Sequence, residues 1–209
     1  MSATLAPFGL RPAFHPSGLD RQQALAGGIV SGYSNNILKG QPIVYSTAAL
    51  ASGGSTNGTL TTATTPGTSA SAASYPWTGA FCGVEWTDVT GRRRVSNYWP
   101  ASTAYVAGSC VAYFYNDPNI VYEIQGDGSL SQTAIGNEFN FTNITAGSTT
   151  TGLSQATLGA STAVGNSVQG QMRVVDVAQN VDNAWGDAFT AVRVVNANSQ
   201  FFGVATAVA

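Results

Sequence analysis

No stretch of this 209-residue chain repeats its apolar residues at the 3.6-residue spacing of a helix. They come instead in short runs of β-branched and aromatic residues, closed by Gly, Pro, Asn or Asp. Runs this short bury a face by pairing as strands. The expected fold class is therefore all-β, an antiparallel β-barrel or sandwich with an extended N-terminal arm and long polar loops. The runs follow no fixed repeat length, which argues against a solenoid.

GGIVSGY and GQPIVYS, within 27–46, read as two strands around a Ser-Asn-Asn turn. GAFCGVEWTD and RRVSNYWP, joined through Gly91, predict a hairpin over 79–99. AYVAGSCVAYFYNDP ends at an Asp-Pro stop, and NIVYEIQ runs to a turn at Gly126-Asp127-Gly128. One helical turn is expected within 129–139, followed by a strand in FNFTNIT. QMRVVDVAQ and GDAFTAVRVVNAN form the last strong pair, with NVDNAW between them and an apolar tail, FFGVATAVA, after them.

The domain reading is an arm over 1–26 and a single β domain over 27–209. In the arm, Pro7, Pro12 and Pro16 preclude a helix, and Phe8, Leu10 and Phe14 lie between them. Disordered tails are poor in aromatic residues, so Pro7, Phe8, Leu10, Arg11, Pro12 and Phe14 are the candidate docking residues. They dock either on a neighbouring subunit or partner, or back on their own domain. Residues 47–76 carry no charge, and Leu50 and Leu60 are their only large aliphatic side chains. A flexible Ser/Thr/Gly-rich loop is expected there.

Charge limits the chemistry. Lys and Arg number 8, Asp and Glu 10, together 9% of the chain, against about 25% in an ordinary domain. The net charge of −2 gives no electrostatic reason to bind nucleic acid. No apolar run approaches the ~20 residues of a membrane span, and the N-terminus does not resemble a secretory signal. Synthesis and assembly in a cytoplasm are expected, with Cys82 and Cys110 as buried thiols rather than a disulfide.

The single histidine, His15, lies in the arm with Asp20 as its nearest acid, which favours a packing or hydrogen-bonding role. That placement and the lack of a GxSxG elbow argue against a Ser–His–Asp triad. Two cysteines and one histidine cannot supply the four ligands of a Cys/His zinc site. No cofactor is expected, and no enzymatic activity. The carboxylates Glu85, Asp88, Asp117, Glu123, Asp127 and Glu138 could pair in space as a glycoside hydrolase requires. Most, however, sit beside Gly or Pro in turns or at strand ends, where capping is the ordinary role. Arg92, Arg93 and Arg94 read either as a contact for an acidic partner or as a solvated hairpin. Trp77, Trp86 and Trp99 suit a β-core, an interface anchor (Trp77 above all) or a stacking platform for sugars.

Several segments resemble the head decoration, or cement, proteins of tailed bacteriophages. They are ATLAPFGLRP at the start, GVEWTDVTG and SNYWPAS in the hairpin, then NDPNIVYEIQGDGSL and GSTTTGLS. The closing RVVDVAQNVDNAWGDAFTAVRVVNANSQF completes the set, so the resemblance covers the arm and most of 77–201. It implies a homotrimer that binds the major capsid protein on the outer surface of the virion and straps capsomers together. The alternative expectation is a phage tail-fibre or adhesin-like carbohydrate-binding module.

Overall fold

The computed structural model describes residues 4–18, 21–46, 58–64, 75–164 and 169–201. Their architecture is an antiparallel β-sandwich. The first sheet runs, in spatial order, β1 (Arg11–Phe14), β8 (Val121–Gln125), β14 (Ala191–Asn196), β13 (Met172–Val177), β9 (Glu138–Thr142) and β12 (Thr157–Ala163). The second runs β2 (Gln23–Ala26), β7 (Val111–Tyr115), β5 (Gly79–Thr87), β3 (Pro42–Tyr45) and β4 (Leu60–Thr62). β6 (Arg93–Ser96) joins the far half of β5, and β10 (Gly147–Ser148) pairs with β11 (Leu153–Ser154) as a separate small hairpin.

Period-two alternation divides the core. Val44 and Ala80 face the inter-sheet layer, where they meet Tyr122, Ile124, Phe139, Phe141, Val174, Val192 and Val194. Their chain neighbours Ile43 and Phe81 face the other way. There they join Phe114, Trp86 and Trp99 in a second cluster, which Ile29, Tyr33 and Ile37 complete. The second sheet is thus buried on both faces along part of its length.

The structure moves several expected boundaries. Within 27–46 only Pro42–Tyr45 is a strand; Ile29 and Tyr33 are buried without pairing, as part of the second cluster. Residues 146–169 contain β12, whose pairing with β9 is irregular between Leu158 and Ala163. That bulge and the small residues of the segment hide the strand pattern. In 47–76, residues 60–62 pair with β3, and Leu60 is fully buried, because this one aliphatic side chain gives the segment something to bury. The rest of that expected loop, 47–57 and 65–74, lies outside the described residues, as does the tail from 202. The hairpin at 79–99 forms as β5–β6, and the helical turn is a 3-10 turn at Gln132–Ala134.

Three glutamine amides carry much of the buried polar pairing between segments. Gln125 accepts from Ala6 N at 2.9 Å and donates to Thr4 O at 3.1 Å, as a neighbouring strand would. Gln200 clamps Tyr45 in the same reciprocal way, at 2.8 Å for both bonds. Gln171 donates to Thr64 O and Tyr75 O, and its side-chain oxygen accepts from Phe141 N. A neutral amide satisfies a donor and an acceptor without the desolvation cost of a buried ion. This is how a charge-poor chain ties loops and termini to its sheets.

Candidate functional site

The segment expected as an arm is extended but docked. β1 pairs with β8 and β2 with β7, so residues 11–14 and 23–26 are edge strands of opposite sheets. Leu10, 2% exposed, belongs to the inter-sheet core, and its N–H donates to Gly40 O at 2.7 Å. Packing back on its own domain is what this segment does. The reason is that Leu10 finds apolar cover there and the strand edges of β8 and β7 need partners.

Pairing with β8 sets the arm's charged and aromatic side chains in a row. Arg11 lies opposite Glu123, Glu123 opposite Arg193, and Arg193 opposite Asp176. The charges therefore alternate across four strands. Arg11 hydrogen-bonds Glu123, and Arg193 Nε approaches Glu123 Oε1 at 3.5 Å, an ion pair without hydrogen-bond geometry. Each arginine also covers a ring: Arg11 lies 4.9 Å from the Phe8 centroid, and Arg193 lies 5.7 Å from that of Phe14. Pro7, Phe8 and Pro12 are half-buried around this row, while Phe14 stays 45% exposed. Arg173 pairs with Glu138 farther along the same sheet, at 2.6 Å.

Arg92, Arg93 and Arg94 occupy the exposed β5–β6 end, away from this row. Asp88 organises their turn. Its Oδ1 accepts from Thr90 N, Thr90 Oγ1 and Arg92 N, and its Oδ2 accepts from Arg94 Nε. Those bonds, the Thr90 hydroxyl foremost, hold the Asp88 carboxyl well below the usual carboxylate range. Glu85 is lowered too, chiefly by its bond from Arg93 and then by that from Tyr113. Arg93 and Arg94 each pair with a carboxylate of their own hairpin, and among the described residues neither covers an aromatic ring.

Trp77 is no surface anchor in this chain. It is fully buried, donates its Nε1–H to Gln171 O at 2.7 Å and meets Phe141 edge-on at 5.0 Å. Trp99 is fully buried as well, and Trp86 nearly so. Cys110 is buried and Cys82 half-buried, both as free thiols, and burial pushes each up to about 11.

His15 meets an acid that sequence proximity did not indicate. Its Nε2 lies 3.0 Å from Asp117 Oδ2, in the turn between β7 and β8, whereas Asp20 is outside the described residues. Its Nδ1 accepts from Ser17 N at 3.0 Å and lies 2.6 Å from Ser17 Oγ. The cluster borders a cavity of about 590 Å³ that Arg21, Gln22, Gln23 and Asn116 also line.

Sequence reasoning missed Arg193, and it named Glu123 only as a capping carboxylate, whereas Glu123 lies in the middle of β8 at the centre of the charged row. The available signal was a lone charge at the outward position of otherwise apolar strands, VYEIQ and AVRVV. Among the described residues there is no cluster of His, Cys, Asp and Glu fit to hold a metal ion, and no helix long and apolar enough to cross a membrane. Compared with models of known families, with curated proteins and with solved structures, the chain shows no match.

Proposed function

We propose that this protein is a capsid cement protein, binding the outer surface of a phage head through its arginine-bearing edges. One observation carries the reading: the ion pairs point their cations outward. Arg93 is 73% exposed against 21% for Glu85, and Arg11 56% against 10% for Glu123. Arg94 with Asp88 and Arg173 with Glu138 repeat the asymmetry. A guanidinium carries five donors and spends one or two on its own carboxylate, leaving the rest for acceptors on a second surface. Arginine and exposed apolar residues such as Phe14 are what contact surfaces favour.

The bacteriophage assignment rests on the segment resemblance, which also supplies the major capsid protein as partner and the homotrimer as assembly. In a trimer, three copies of each weak edge act together, so modest contacts sum to firm attachment. The sheets hold those contacts in fixed register, as strapping neighbouring capsomers requires. Burial of Trp77, Trp86 and Trp99 disfavours the carbohydrate-binding alternative, whose stacking platform would need exposed rings. The test is co-sedimentation with undecorated mature heads, followed by cryo-electron microscopy. Saturable pelleting with regular density at capsomer junctions is expected. Failure to bind the cognate head overturns the reading.

A further inference from the structure

The hydrogen bonds around His15 fix the tautomer of its neutral ring. The Ser17 backbone N–H can only donate, so the Nδ1 that it meets is an unprotonated acceptor. The neutral ring then carries its proton on Nε2, 3.0 Å from Asp117 Oδ2. Ser17 Oγ, 2.6 Å from the same Nδ1, must point its hydroxyl proton at the ring. Asp117 is itself oriented, since its Oδ1 accepts from Asn119 N at 2.9 Å and from the Asn119 side chain at 3.2 Å. Hydroxyl, imidazole and carboxylate thus stand in the order of an activated nucleophile, its base and the group that orients the base.

From this geometry we infer that Ser17, His15 and Asp117 form an acyl-transfer site that hydrolyses short-chain esters of polar alcohols. Ser17 presents the nucleophile in a tight turn, closed by Gly18 N donating to His15 O at 2.8 Å. The serine is exposed and the cavity beside it is lined by amides and one guanidinium, a surface that suits a small polar ester.

The reaction balances with water alone. Ser17 Oγ attacks the ester carbonyl carbon while its proton passes to His15 Nδ1. The tetrahedral adduct collapses, the carbon–oxygen bond to the alcohol breaks, and the alcohol leaves with the proton from Nδ1. Water then attacks acyl-Ser17, giving a proton to Nδ1; Ser17 departs with that proton and the carboxylic acid is released. Asp117 stays ionised and stabilises the imidazolium. Protonation of Nδ1 also frees the Ser17 N–H, a donor on the nucleophile's own residue, toward the developing oxyanion.

A turn staple alone needs less than this. The His15–Asp117 bond already ties the β1–β2 connection to the β7–β8 turn. The Ser17 hydroxyl adds no tie between segments, yet it shares the one Nδ1 lone pair with the Ser17 N–H and borders the cavity. Asp117 is 42% exposed, so solvent weakens its hold on the imidazolium and a slow esterase is expected rather than a fast one.

The full-length protein is incubated with a fluorophosphonate probe and, separately, with p-nitrophenyl acetate. Labelling at Ser17, located by peptide mass spectrometry, is expected. Hydrolysis is expected to fall at least about a hundredfold in Ser17→Ala and in His15→Asn, with circular dichroism unchanged because both residues lie outside the sheets. Ser17→Cys keeps a nucleophile and is expected to react with iodoacetamide faster than the double variant that also carries His15→Asn. Absence of label at Ser17, or equal turnover in Ser17→Ala, overturns the proposal. Ser17→Ala is also expected to bind heads normally, so failure here and failure of the cement reading are separable.

Discussion

Leu10 and Phe14 sit four residues apart in one extended segment, and the structure assigns them opposite duties. Leu10 is 2% exposed inside the inter-sheet core. Leu10→Ala removes three carbons from that core and leaves a cavity in their place. A loss of about 3 kcal/mol is expected, in the lower part of the range for buried leucines. At this chain length that lowers Tm by roughly 6–12 °C. Phe14 is 45% exposed, so Phe14→Ala forfeits about half of a buried ring, about 1 kcal/mol, with about 0.5 kcal/mol more from its contact with Arg193. Urea unfolding followed by tryptophan fluorescence reads both, since Trp77 reports on the same core as Leu10. In head binding the order is expected to reverse: below its unfolding midpoint Leu10→Ala attaches normally, whereas Phe14→Ala attaches weakly. A Leu10→Ala cost under about 1 kcal/mol would show that the segment is no part of the core, and the docked description would fail.

Gly79→Ala is expected to cost about 3 kcal/mol in the same unfolding assay, because a Cβ there would stand 1.6 Å from Tyr115 O and force β5 away from β7. Wild-type stability in Gly79→Ala would contradict that strand spacing. Replacing Arg92, Arg93 and Arg94 together by Ala is expected to weaken head binding at low salt and to matter little at high salt, where exposed charges are screened. Unchanged affinity at every ionic strength would assign them to the solvated hairpin alone. The Asp88 and Glu85 carboxyls are depressed in the folded hairpin, so what they contribute is present above the ordinary carboxylate pKa of about 4 and is lost as pH falls through their lowered folded values. Amide exchange at Thr90 and Arg92 is expected to quicken in that acid range, and Asp88→Ala to quicken it already at neutral pH. Equal protection in Asp88→Ala and the native chain would remove Asp88 as the organiser of the turn.

The strands with strong alternation were legible in sequence. VYEIQ, MRVVDV and AVRVVN are strands in the structure, and the β5–β6 hairpin turns at Gly91, where φ is +84°. β12 was not legible, because its small residues carry no alternation to read. The surface candidates divide in the same way. Arg92, Arg93 and Arg94 are exposed, as their neighbouring Gly91 and polar residues suggested. Trp77 is buried because Gln171, 94 positions later, supplies an acceptor for its indole.

Composition and local pattern determined what this chain can be: an all-β body, poor in charge, with prolines that keep its first residues extended. Only tertiary structure decided what those residues touch. Residue 11 meets 123, residue 15 meets 117 and residue 6 meets 125, all contacts more than 100 positions apart. Alternation states that a side chain leaves one face of a strand, whereas strand order decides which side chain waits beside it. The order β1–β8–β14 made a row of Arg11, Glu123 and Arg193, and the β7–β8 turn brought a carboxylate to the only histidine.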